Sequence, residues 1–113
     1  MVFALHTGDG GLLAFSTGAE AAAHCTGIEV EDSRWLFFAE DGSPLEARFQ
    51  RPNRRTGPFI VSGSYVLVRA LSGLWLQERL AQVTSVKGCG LSAVPELVEL
   101  LKINRSNRAA RNE

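Results

Sequence analysis

The chain has 113 residues, 45% apolar and 21% charged, with two cysteines and a formal net charge of zero. That is enough chain for one packed domain and too little for two; the balance excludes global disorder, and no apolar run reaches the ~20 residues of a membrane-spanning helix. The zero net charge conceals a division: residues 1–46 hold eight acids against Arg34 alone, formally −7, and residues 47–113 hold eleven bases against four acids, formally +7.

The first elements read as a hairpin. Val2 to His6 and Leu12 to Phe15 are apolar runs, and Thr7-Gly-Asp-Gly-Gly11 between them has the residues of a tight turn. Its glycines match neither the dinucleotide fingerprint nor the P-loop, so no phosphate cradle is expected there. Thr17-Gly-Ala-Glu20 has the capping-box pattern, which predicts a short helix over 19–26 with Gly27 as its C-terminal stop. Arg34 to Ala39 predicts an aromatic strand, Asp41-Gly42 a turn, and the alternation of Leu45, Ala47 and Phe49 with Glu46, Arg48 and Gln50 a second strand.

Pro52 to Pro58 reads as a loop. Phe59–Val61 and Tyr65–Val68 predict two strands, or one strand with a bulge at Gly63. Ser72-Gly73 admits two readings, a hairpin into Leu74–Gln77 or a cap for a helix over 72–86; the spacing of Leu76, Leu80 and Val83 favours the helix. After a break at Lys87–Gly90, Ser92 and Pro95 predict the start of a final helix with Val94, Leu97, Leu100 and Leu101 as its apolar stripe. The expected architecture is α+β: an antiparallel sheet of about five strands with two to three helices mainly on one face, in the order β-β-α-β-β-β-α-α. Residues 1–103 form the domain and 104–113 a polar C-terminal tail.

Candidate chemistry is sparse. Cys89 lies between Gly88 and Gly90; Lys87 and the following helix start would favour a thiolate there, but a nucleophile also needs a base, and spacing brings neither His6 nor His24 to it. A small residue in a helix–helix turn is the competing reading. Two cysteines and two histidines at these spacings make no zinc site, so no metal or cofactor is expected. Reduced thiols and the lack of a basic, apolar leader at Met1–His6 point to a cytoplasmic setting. Glu29 and Glu31 share a face if the backbone is extended, with Asp32 opposite; without a cleft and a carboxyl held neutral by burial, acid–base catalysis is not implied.

Gly27-Ile-Glu-Val-Glu-Asp32 before an aromatic strand, followed by Glu40-Asp-Gly42 and Leu45, resembles small single-domain bacterial proteins, immunity-type or uncharacterised, mainly over residues 1–50. The resemblance implies a non-enzymatic inhibitor that docks on a protein partner, such as a toxin domain. The acidic stretch suits such a role through complementary charge: Glu29, Glu31, Asp32, Glu40 and Asp41 would face a basic partner, with Trp35 as anchor. The second reading is a small nucleic-acid-binding protein using Arg48, Arg51, Arg54 and Arg55, joined by Arg105, Arg108 and Arg111. Against it stand the aromatics, which sit in apolar runs rather than in a stacking motif. A thiol enzyme centred on Cys89 is the third.

Overall fold

In the computed structural model, which describes residues 1–111 and side chains through Asn107, the first hairpin forms the middle of the sheet. Strand β1 (Val2–His6) pairs antiparallel with β2 (Gly11–Phe15) on one side and with β3 (Trp35–Ala39) on the other. From β3 the chain turns at Asp41-Gly42, where Gly42 has φ 89°, a backbone region that glycine enters without a side-chain clash. It returns as β4 (Pro44–Arg51), which pairs with β3 only at Phe37–Leu45 and Phe38–Pro44. The rest of β4 runs beside β7 (Ser64–Arg69). Between them β5 (Arg54–Thr56) and β6 (Phe59–Val61) make a separate two-stranded ribbon. So 59–61 and 65–68 belong to two strands, and the register shift falls between Phe49 and Arg51 of β4 rather than at Gly63.

The main sheet has six strands in the order β7-β4-β3-β1-β2-β8. Its edge strand β8 (Ser85–Lys87) runs parallel to β2. This replaces the end of the helix expected over 72–86: Leu76–Gln82 is a 3-10 helix, and the chain then extends. Gln, Glu, Arg and Ala favour helix locally, but Val86 is buried against the first hairpin, and that burial decides the conformation.

Alternation along β1 divides the interior in two. Phe3 and Leu5 face one way, into a cluster with Leu12, Phe38, Leu76, Val86, Leu97 and Leu101. Ala4 faces the other way, with Ala21, Cys25, Phe37 and Tyr65. Helix α1 (Gly18–His24) and the short α2 (Gly27–Glu31) cover the second face; the 3-10 helix and α3 (Val94–Arg111) cover the first. The α+β class and mostly antiparallel sheet are as expected, but the helices lie on both faces. A six-stranded sheet whose central strand is apolar on both sides requires two covers.

Helix α3 also runs through most of the segment expected to be a tail. It is held there by polar contacts that its few apolar residues did not announce: Asn104 Nδ2 donates to the Glu40 carbonyl at 2.8 Å, and the Arg105 guanidinium lies 5.0 Å from the centre of the Trp75 ring. The side chains of Arg108 and Arg111 lie outside the described residues. No helix among the described residues is long and apolar enough to cross a membrane.

Candidate interaction surface

The acidic stretch is a helix and a turn, not an extended connection. Thr26 caps α2 by accepting from Glu29 N–H at 3.4 Å, and its hydroxyl donates to Glu29 Oε1 at 2.9 Å. Gly27 therefore begins α2 instead of ending α1, which is closed by Cys25. A side chain at Gly27 would meet Asn53 Oδ1 at 2.5 Å and Phe49 at 3.2 Å, so glycine is required by close packing. The spacing Thr26-x-x-Glu29 repeats Thr17-x-x-Glu20, and it is the sequence signal that could have revealed α2, which was not expected.

Within this frame the acids are dispersed among partners of their own chain. Glu29 Oε2 accepts from Trp35 Nε1 at 3.3 Å. Its carboxyl titrates below the usual glutamate range because the Thr26 hydroxyl, and then the Trp35 indole, donate to its charged form. Glu31 accepts from Asn53 Nδ2, and Asp32 pairs with Arg55 at 3.1 Å. Asp41 is only 2% exposed and accepts from the Ser43 backbone and hydroxyl; it shapes the turn and cannot face a partner, which corrects its place in the docking set. Of the six residues expected to dock, Glu31, Asp32 and Glu40 are exposed, and the Glu40 carboxylate lies 3.9 Å from the Met1 amino group. The α2 acids and the arginine-bearing segment thus meet through Asp32 and Arg55, so the two charged halves of the sequence are interleaved here.

Trp35 is half-buried. His6 packs edge-on against its ring at 4.9 Å and His24 at 6.1 Å. Neither histidine had a nameable neighbour in the sequence, because their proximity arises from β1–β3 pairing and the docking of α1. The arrangement fixes Trp35 in place and leaves it less available as a projecting anchor. Cys89 is exposed with φ 51°, in the loop after β8, and its side-chain neighbour is Ser16 Oγ at 3.9 Å. Cys25 is buried, and burial, with the Glu29 charge adding to it, pushes its thiol up to about 12. Among the described residues no three His, Cys, Asp or Glu side chains gather as a metal site would need.

What the sequence reading missed is the ribbon. Phe59, Ile60 and Val61 read as a strand, and the structure leaves them 72%, 61% and 59% exposed. Every residue of β5 and β6 is exposed. The ribbon is tethered at its base by Asn53, whose Oδ1 accepts from Gly63 N–H at 2.7 Å and whose amide donates to the Gly27 carbonyl at 2.9 Å. Gly63 is needed at this junction, since a Cβ there would fall 1.9 Å from the Arg51 carbonyl oxygen. Arg48, Arg51, Arg54 and Arg55 are all exposed on β4 and the ribbon. Comparison with protein-family models, curated proteins and solved structures gives no match.

Proposed function

We propose that this chain is a non-enzymatic binding protein that engages a protein partner, as the immunity-type inhibitors it resembles do, and that the β5–β6 ribbon is its main contact element. The observation that carries this reading is the exposure of Phe59, Ile60 and Val61 in succession on a two-stranded ribbon outside the main sheet. Contiguous exposed apolar side chains rimmed by polar ones mark interaction surfaces, and aromatic residues rank among the strongest contributors at interfaces. The acidic set has a smaller part than its sequence suggests. With Glu29, Glu31 and Asp32 engaged by Trp35, Asn53 and Arg55, α2 and the ribbon base form one mixed-charge shoulder beside the contact element.

The test is capture from the native host at low and moderate salt with wild type and with Phe59→Asp immobilised in parallel. Wild type retains a protein partner. The substitution weakens capture by about 2 kcal/mol or more, as expected for an interface hot spot, while thermal unfolding is unchanged because the side chain is exposed. Equal capture by both proteins, or capture by neither, removes the reading.

A further inference from the structure

The ribbon also carries chemistry that identifies its partner, and this inference rests on the protein-binding reading above. Residues 47–66 contain four arginines and no acid. One of them is already used: Arg55 Nη2 lies 3.1 Å from Asp32 Oδ1, on the side of the ribbon that meets α2. The register pairs Arg54 with Val61, Arg55 with Ile60 and Thr56 with Phe59. Because side chains alternate along a strand, Arg54, Thr56, Phe59 and Val61 share the face opposite Arg55. On that face a cleft of about 480 Å³ opens at the ribbon base, and Arg51, Arg54 and Val61 are among the residues lining it. Among the described residues no carboxylate is paired with Arg51 or Arg54.

We propose that this face, with Arg51 and Arg54 beside Val61 and Phe59, receives an acidic segment of the partner protein that also bears apolar side chains. Guanidinium groups pair with carboxylates in fixed two-pronged geometry, and the neighbouring Phe59 and Val61 supply an apolar seat that a purely charged ligand would leave uncovered. The charge relation expected from the sequence is thereby reversed: this chain contributes the bases and the partner contributes the acids. Val61, the apolar side chain that lines the cleft with Arg51 and Arg54, is aliphatic, which favours a protein over a nucleic acid, whose bases stack on aromatic faces.

Fluorescence anisotropy tests this with three labelled probes: a peptide alternating Glu and Leu, the same peptide with Gln for Glu, and single-stranded oligothymidine. The expected result is binding of the Glu peptide at low salt, at least about tenfold tighter than the Gln peptide. That advantage disappears in Arg51→Glu/Arg54→Glu and falls steeply with added salt. Tighter binding of oligothymidine overturns the proposal in favour of a nucleic-acid ligand. Equal binding of the two peptides, or binding of neither, overturns the acidic chemistry. In those last cases, partner capture that is lost in Phe59→Asp yet retained in Arg51→Glu/Arg54→Glu leaves the protein-binding reading standing.

Discussion

The Glu29 carboxylate joins two local elements, α2 and β3. It closes the cap of α2 through Thr26 and fixes the Trp35 indole on β3. Both donors stabilise its charged form, so its folded pKa lies below its ordinary value of 4.5. The unfolded chain then binds the proton more readily than the folded one, and stability rises with pH across this window. Glu29's contribution is fully present above about 4.5 and is lost as pH falls through the lower folded value. Urea midpoints of wild type and Glu29→Gln should therefore differ most at neutral pH, wild type being higher, and converge toward acid. A difference that is constant with pH would mean that the carboxylate's charge has no part in holding Trp35. The same residue explains a missed expectation. Glu29 and Glu31 would share a face if the backbone were extended, and the second Thr-x-x-Glu cap puts them on a helix instead.

At the level of elements, α3 tests how the second cover is attached. Its predicted stripe is the one observed: Leu97 and Leu101 are 0% and 1% exposed, with Val94 and Leu100 packed against the same cluster. Leu97→Ala should cost about 2–5 kcal/mol, as truncation of a fully buried leucine does, read as a lowered urea midpoint by far-ultraviolet circular dichroism. A loss below about 0.5 kcal/mol, the range of ordinary surface changes, would mean that α3 packs only loosely. The stripe was legible because a helix stamps its own period on the sequence. Residues 85–87 were not, because what extends them is pairing with β2, more than seventy residues earlier in the chain. In the ribbon, the strand at Phe59–Val61 was legible, but its exposure and the strand at Arg54–Thr56, expected as loop, were not: an apolar run signals a strand in either environment, and only its neighbours determine whether it is buried.

For the molecule as a whole, stability is distributed from the middle strand outward. Strand β1 is bonded on both edges and contributes Phe3, Ala4 and Leu5, each at most 1% exposed, to the two cores. The β5–β6 ribbon is two strands with no buried residue, and such a pair is marginal by itself. Native-state hydrogen exchange should find the slowest amides in β1, opening only with global unfolding, and much faster exchange in β5 and β6. Leu97→Ala should accelerate exchange in β1 and leave the ribbon unchanged. Comparable protection in both regions would show the ribbon to be an integral part of the core, and the contact role argued for it would lose its basis. A projecting element of low local stability is suited to adjusting on a partner without disturbing the sheet that carries it.

The sequence by itself determined the hairpins, the aromatic strand, the cap of α1, the stripe of α3 and the α+β class. Each of these is written in neighbouring residues through turn chemistry, capping or periodicity. Tertiary structure decided which charges are free and which apolar side chains are buried. Asp32 meets Arg55 across 23 positions, His6 and His24 meet Trp35 through strand pairing and helix docking, and Phe59–Val61 stays outside the core because β4 and β7 carry it there. Charge and burial depend on distances in space, and a −7 and a +7 segment that look separate along the chain meet where the fold brings Asp32 to Arg55.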